Sequence, residues 1–569
     1  MKHYNCQVIA TKLFSCSITE MTEKISILIC QTNPTVGDID NNKKTIKKIV
    51  DDYQSDLIIF SELMLTGYPP EDLILKPAFM EKCEDAISDL KLYLKGKTST
   101  VILGTPYRED GKLFNTALAL RDGEIIAKHF KLALPNYGVF DEKRIFSNGE
   151  KFTEIKLKNF KIGLMVCEDI WIDQHMTDLS KNDLDLVVSI NASPFDVNKI
   201  SERESKAVDF SSNVGAPLVY VNQVGGQDEI VFDGNSFIAS SGKIVAQLPH
   251  CVSSIKEVTY DRSSGFDTGV ELEVKQHDKQ DIIYSNLILG LRDYITKNKF
   301  PGVVLGISGG VDSAFSACVA VDALGPENVI GIGMPSKFTS KESNEDAEEL
   351  ASNLGFKLEN VSIESVVSSY DQTLSSIFNG KEKDITEENI QSRTRGAILM
   401  AYSNKFGHMV LTNGNKSEVS VGYSTLYGDM CGGFSVVKDI YKSDLYKLAE
   451  WRNNNIPSIS VIDKKNVMPL NIINKEPTAE LKENQKDSDS LPPYEVLDKI
   501  LYHLVEKEKS IKEITHMGFD FDLVKKVEHL LYSSEYKRRQ AAPGVKISER
   551  NFGYDRRYPI TNSFRDMDN

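Results

Sequence analysis

Around residues 262 to 281 the apolar rhythm of the chain lapses into RSSGFDTGVELEVKQHDKQD, and the patterns on its two sides differ in kind. Before it, apolar runs of strand length recur: DLIIF (56–60), TVILGTPY (100–107), LFNTALAL (113–120), FKIGLMV (160–166), DLVVSI (185–190) and PLVYV (217–221). The turn sequences RDG (121–123) and SSGK (240–243) predict antiparallel hairpins among them, and helical stretches such as NNKKTIKKIVDDY separate others. After it, a helical pattern at IIYSNLILGLRDYITKN leads into strict alternation: GVVLGI, a helix from Ala314, VIGIGMPS, a helix over SKESNEDAEELASNLG, then KLENVSI. Alternation of that kind specifies a parallel, doubly wound sheet. A chain of 569 residues exceeds a single core, since domains hold about 100 to 200 residues. The expected division is an N-terminal extension (1–20), a mixed α/β domain (21–265), a linker (266–280) and a second α/β domain (281–569).

Charge and cysteine usage narrow the function. A net charge of -15 argues against a nucleic-acid binder, which needs clustered Lys and Arg to neutralise phosphates. The eight cysteines show neither CxxC nor framework spacing, so no zinc site or disulfide scaffold is indicated, and a reducing cytoplasm fits. No segment has the 18 or more apolar residues of a membrane helix, and residues 1–20 lack the continuous apolar core of a secretory signal.

In the first domain, polar residues stand at three strand ends: Glu62 after DLIIFS, Lys131 after EIIAKHF and Cys167 after FKIGLMV. Strand ends are where α/β folds place sites. Cys167, with Glu168 and Asp169 behind it, is either inert packing or a nucleophile supported by a cation. Lys131 supplies such a cation, which would favour thiolate and cradle an oxyanion, and Glu62 can take the thiol proton. SELMLTGYPPEDL, KLALPNYGVFDEKRIF and MVCEDIW, in that order, resemble the motifs of the nitrilase superfamily of carbon-nitrogen hydrolases. The resemblance implies an α-β-β-α sandwich with Glu62, Lys131 and Cys167 as the catalytic set and Glu142 as a supporting carboxylate. NASPF (191–195) and YVNQVGGQDEIVFDGNSF (220–237) are similar to the glutaminase domain of the glutamine-dependent NAD synthetases. That likeness implies a glutamine site at Tyr137, Ser193 and Lys199.

In the second domain, the first strand runs into SGGVDS (308–313) and then a helix. Glycines there let the backbone present N–H groups, and the helix N-terminus favours an anion. It is no Walker loop, because GxxxxGK[ST] does not occur. The segment resembles the pyrophosphate loop of enzymes that adenylate an acid with ATP. ENIQSRTRG (388–396), GNKSEVSVGYSTLYGD (414–429) and KRRQAAPGVKISERNFGYDRRYPITN (537–562) look like the NAD synthetase family within that group. The resemblance implies a Rossmann-like sheet with ATP contacts at Gly306, Ile307, Ser308, Gly309, Gly310, Val311, Asp312, Ser313 and Lys442. It also implies deamido-NAD contacts at Asn389, Arg393, Glu418 and Lys537, and Mg2+ on Asp312 and Glu418. Thr478 lies in PTAELKENQKDSDSLPPY (477–494), a charged, proline-bearing stretch that reads as a mobile loop over the nucleotides. One departure is Asn413, where the family carries threonine; it retains a donor and an acceptor for ATP, and Thr412 can share the role.

Together the resemblances imply amidation of deamido-NAD to NAD with ATP and glutamine-derived ammonia, by a cytoplasmic homo-oligomer that binds neither nucleic acid nor membrane. Three other readings stand beside it: a free amidase, a different ATP-dependent amidotransferase, and a scaffold without activity. The first would make SGGVDS ornamental, the second would lack ENIQSRTRG, and the third would be expected to have lost some of Cys167, Lys131, Glu62 or Asp312.

Overall fold

A computed structural model of the chain describes residues 24–269, 272, 274, 278–483, 485–489 and 491–566. The expected extension at 1–20 lies outside the described residues, as does part of the expected linker. Among the described residues, the first half forms two large sheets. One has seven strands in the order Gly265–Asp267, Ser254–Asp261, Lys24–Gln31, Leu57–Phe60, Thr100–Glu109, Lys112–Arg121, Glu124–Phe130. The other has six, in the order Lys243–Gln247, Phe237–Ser240, Leu218–Asn222, Leu186–Asn191, Phe160–Val166, Thr153–Leu157. Both turn sequences close antiparallel hairpins, with Arg121 opposite Glu124 and Ser240 opposite Lys243.

Side-chain alternation explains the stacking. Ile25, Ile27, Ile29, Leu57 and Ile59 meet Leu164, Val166, Val188 and Val219 of the other sheet in one buried layer. The intervening Leu28, Cys30, Ile58 and Phe60 point the opposite way, onto the helices Ile39–Asp52 and Pro77–Leu94. Met165 and Val187 likewise pack on the helix Lys199–Val214. The result is an α-β-β-α sandwich, whose central strands read as unbroken apolar runs because both faces are covered.

The second half carries a five-stranded, wholly parallel sheet in the order Lys357–Asn360, Val329–Gly333, Val303–Gly306, Met409–Thr412, Phe434–Ser435. Val303 and Leu305 face the helices Lys279–Lys297 and Val311–Leu324, whereas Val304 faces the helix Ile385–Phe406. The strand order reverses between Val303–Gly306 and Met409–Thr412, which is where an open α/β sheet opens its ligand crevice. The polar break is less irregular than its composition: it contains the short strand Gly265–Asp267, and Asp278 caps the next helix through Gln280 N.

The domains share an apolar seam. Phe195, Val224, Val231 and Cys251 from the sandwich join the core built on Leu287, Leu291, Phe315 and Val545. A hairpin of Val224–Gln227 with Ile230–Asp233 lies on the helix Lys279–Lys297, and a Cβ on Gly226 would stand 3.0 Å from the Cα of Gly290. A side chain there would have to push the helix backbone back by a few tenths of an ångström.

Candidate active sites

At the ends of strands in both sandwich sheets, the three predicted residues come together in a buried polar cluster. Lys131 Nζ donates to Glu62 Oε1 at 2.7 Å and to Glu142 Oε1 at 2.8 Å, and its side chain is inaccessible to solvent. Glu62 is held by Asn115 Nδ2 at 2.7 Å and by the N–H of Ala192 at 2.8 Å. Tyr68 donates to Glu142 at 2.8 Å. Burial opposes the charge on Lys131, but Glu142 and Glu62 outweigh it and hold the ammonium firmly ionised.

Cys167 follows the strand Phe160–Val166 with φ of 46°, in the left-handed region that a side chain seldom occupies. Its thiol is buried near this cluster, where Glu62, Lys131, Glu168 and Glu142 all act on it electrostatically. Here the sequence expectation needs correction. Burial first, then Glu62, pushes the thiol well above its ordinary value, and Lys131 does not reverse this. The lysine is already engaged by two carboxylates, so the resting group is a thiol.

Of the expected glutamine residues, Tyr137 and Lys199 interact with Glu168 and Ser193 does not. Tyr137 OH lies 3.1 Å from both carboxylate oxygens of Glu168, and Lys131 and Lys199 stabilise its charge, although burial raises its pKa overall. Lys199 Nζ sits 4.2 Å above the ring of Trp171. Ser193 is buried, its N–H bonded to Asn222 Oδ1 at 2.9 Å. Sequence reasoning missed Asn115, Tyr68 and the contact of Glu168 with Tyr137; Glu168 was legible only as a charge next to the cysteine.

A cavity of about 1180 Å³ opens at the switch point of the parallel sheet. Gly306, Ile307, Ser308, Gly310, Val311, Asp312 and Ser313 line it, together with Asn389, Arg393, Asn413, Glu418, Lys442, Lys537, Thr412 and Thr478. Gly309 is the exception. It turns away with φ of +74°, and a Cβ there would come within 2.3 Å of the Ser343 carbonyl oxygen. The helix Val311–Leu324 begins at Gly310 without a side-chain cap, which leaves its first N–H groups for a ligand. Ser308 and Ser313 brace the loop, Oγ to Oγ, at 3.2 Å.

Two carboxylates converge beyond the loop. Lys442 contacts Asp312 closely and lies 3.5 Å from Glu418, while Asn415 Nδ2 donates to Asp312 at 2.8 Å. Burial, then the charge of Asp312, pushes Glu418 up to about 8 despite Lys442. Two carboxylates this close repel each other and offer hard oxygen donors, the ligand type a magnesium ion takes, with Lys442 as the cation now between them. Asn413 Nδ2 donates to Gly306 O at 3.1 Å, and its Oδ1 is buried without a hydrogen-bond partner. Asn389 accepts from Thr425 at 2.8 Å, Arg393 donates to Leu426 O at 3.2 Å, and Lys537 donates to Gly422 O and Ser424 O at 2.7 Å each. Residues 477–482 border this cavity: Glu480 accepts from Ser343 Oγ at 2.9 Å, and Gln391 donates to Leu481 O at 3.0 Å.

The chain matches two families of known proteins over separate stretches. Residues 27–264 match the Carbon-nitrogen hydrolase family and residues 283–541 the NAD synthase family. A glutamine-dependent NAD(+) synthetase of Thermotoga maritima is 42% identical over 589 residues, covering 96% of this chain and 100% of the relative. That of Acinetobacter baylyi is 41% identical over 560 residues, with 96% and 100% covered. The solved structure of glutamine-dependent NAD+ synthetase from Acinetobacter baumannii, in complex with ADP, is 39% identical with a TM-score of 0.76 and covers 96% of this chain and 100% of that one.

Proposed function

Because the chain belongs to the glutamine-dependent NAD(+) synthetases, ligases that form NAD with ATP and take the amide nitrogen from glutamine, we propose that its two sites divide that reaction between them. Residues 21–265 form the glutaminase unit, 266–280 the linker and 281–569 the synthetase unit. The observation that carries the reading is the ammonium of Lys131 clamped between Glu62 and Glu142 beside Cys167.

Cys167 Sγ attacks the side-chain amide carbon of glutamine while Glu62 takes the thiol proton. A lysine ammonium has three N–H donors, and with two engaged by the glutamates the third serves the developing oxyanion. Glu62 returns its proton to the departing nitrogen, ammonia leaves, and a thioester remains. Water, deprotonated by Glu62, then releases glutamate and restores the thiol. Tyr137, Ser193 and Lys199 hold the substrate; the Glu168 carboxylate complements an α-ammonium, and Lys199 an α-carboxylate.

In the synthetase unit the N–H groups of the 306–313 loop receive the ATP phosphates, with Lys442, Asn413, Thr412 and Thr478 around them. Asn389, Arg393, Glu418 and Lys537 receive deamido-NAD. Asp312 and Glu418 would hold Mg2+, which when bound neutralises phosphate charge. The nicotinate carboxylate attacks the α-phosphorus and expels pyrophosphate; ammonia then attacks the acyl carbon and AMP leaves. A carboxylate resists attack by ammonia, and the adenylate removes that resistance. The described cysteines are all free, which suits a reducing cytoplasm, and no helix among the described residues is long and apolar enough to cross a membrane.

The test is product analysis with deamido-NAD, ATP and Mg2+, supplied with glutamine or with ammonium. AMP and pyrophosphate equal to the NAD formed are expected from both nitrogen sources. Release of ADP and phosphate instead would contradict the adenylate route.

A further inference from the structure

The proton relay at Cys167 makes no use of the carboxylate two residues further on. Asp169 is fully buried, as is His129, and four donors converge on it. Oδ1 accepts from the N–H groups of Leu132 at 2.8 Å and Ala133 at 2.9 Å. Oδ2 accepts from the N–H of Val166 at 3.0 Å and lies 2.9 Å from His129 Nε2. Three backbone N–H groups already use this carboxylate as an acceptor, and His129 Nε2 faces it in the same way; Nδ1 of His129 has no hydrogen-bond partner.

The origin of these donors carries the inference. His129 on one side and Leu132 and Ala133 on the other bracket Lys131, while Val166 and Asp169 itself bracket Cys167. One carboxylate therefore ties the backbone around the lysine, at the end of one sheet, to the backbone around the cysteine, at the end of the other. Cys167 also holds a left-handed conformation, which persists at a non-glycine residue only where the surroundings over-determine it. The Asp169 bond to Val166 N closes that turn. Asp169 has no part in the cluster of Glu62, Lys131 and Glu142, and its four bonds leave it no capacity for a substrate.

We propose that Asp169, oriented by His129, is a positioning residue for amide hydrolysis, setting the separation of the Lys131 ammonium and the Cys167 thiol. The proposal rests on the reading of Cys167 as the nucleophile.

Asp169→Asn keeps the shape but replaces one acceptor by a donor, so one pair of N–H groups faces another donor. In the full-length variant, glutamine-driven kcat is expected to fall about 100-fold, the scale of an ångström-sized misplacement of reacting groups. KM for glutamine should stay within about threefold and ammonium-driven synthesis within about twofold of the parent. His129→Gln, which restores a side-chain N–H donor, should retain at least about tenfold more glutamine-driven kcat than His129→Leu. This pair also decides the matter if Asp169→Asn does not yield soluble enzyme. Unchanged kcat in Asp169→Asn, a parallel fall of ammonium-driven synthesis, or equal rates for the two His129 variants would overturn the proposal. Cys167→Ala, assayed alongside, separates the two levels: if it keeps glutamine-driven synthesis, it is the nucleophile assignment that fails.

Discussion

Cys167 is pulled two ways, by burial and carboxylates that keep its proton on and by a lysine that would take it off. Because the first influence prevails, alkylation of Cys167 in the resting enzyme at pH 7 should be slower than that of a free cysteine of pKa about 8.5. The rate, read by mass spectrometry of the labelled peptide, should still be climbing at pH 9; a plateau below pH 7 would show a resting thiolate. Glu62→Gln should lower glutamine-driven kcat by about 100- to 10,000-fold with ammonium-driven synthesis preserved, as expected for loss of a general base. At the other site, Glu418 titrates at about 8 when folded, against 4.5 for an ordinary glutamate. Between those values the folded protein holds a proton that the unfolded chain has released, so this residue's contribution to stability falls as pH rises. Without Mg2+, Glu418→Gln should therefore gain in melting temperature on the parent from pH 5 to pH 8; a constant difference would show that Glu418 ionises normally. Sequence motifs marked Glu62, Lys131 and Cys167, but Asn115 and Asp169 earn their roles through contacts across 53 residues and between sheets, which spacing does not reveal.

Among elements, the helix after SGGVDS starts at Val311, three residues before the start expected from apolar periodicity. Its first turn presents N–H groups to the cavity, so its signal is carried by glycine geometry and not by apolar spacing. Gly309 is the sharpest point. Alanine there must adopt positive φ, which costs about 1–2 kcal/mol, and must also displace the Ser343 carbonyl. Gly309→Ala should weaken ATP binding at least about tenfold by calorimetry, the equivalent of 1.4 kcal/mol, and leave glutamine hydrolysis in place. Unaltered ATP affinity would remove the loop from the phosphate site. The strand alternation and both hairpins were readable because buried faces and turn residues leave local marks. The hairpin of Val224–Gln227 and Ile230–Asp233 was not, since its register depends on a distant helix meeting Gly226.

The whole molecule depends on the seam between its two units. Asp293, near the end of the first synthetase helix, accepts from Asn33 Nδ2 and Gly226 N at 2.7 Å each and lies 3.3 Å from Lys297. Burial already lowers the pKa of Lys297. Asp293→Ala should destabilise the enzyme by about 3 kcal/mol, as removal of one partner from a buried ion pair does, and reduce glutamine-driven more than ammonium-driven synthesis. A melting temperature and rates equal to the parent would show that the seam is held by its apolar core alone. The central claim, that nitrogen is released at Cys167 and used at a separate adenylating site, is tested most directly by isotope transfer. Amide-15N glutamine, unlabelled ammonium, ATP, Mg2+ and deamido-NAD are given to the parent and to Cys167→Ala, and the NAD is weighed by mass spectrometry. The parent should incorporate 15N, and the variant should make unlabelled NAD at the parent's ammonium-driven rate. Labelled NAD from Cys167→Ala, or a folded variant that makes no NAD from either source, would contradict the account.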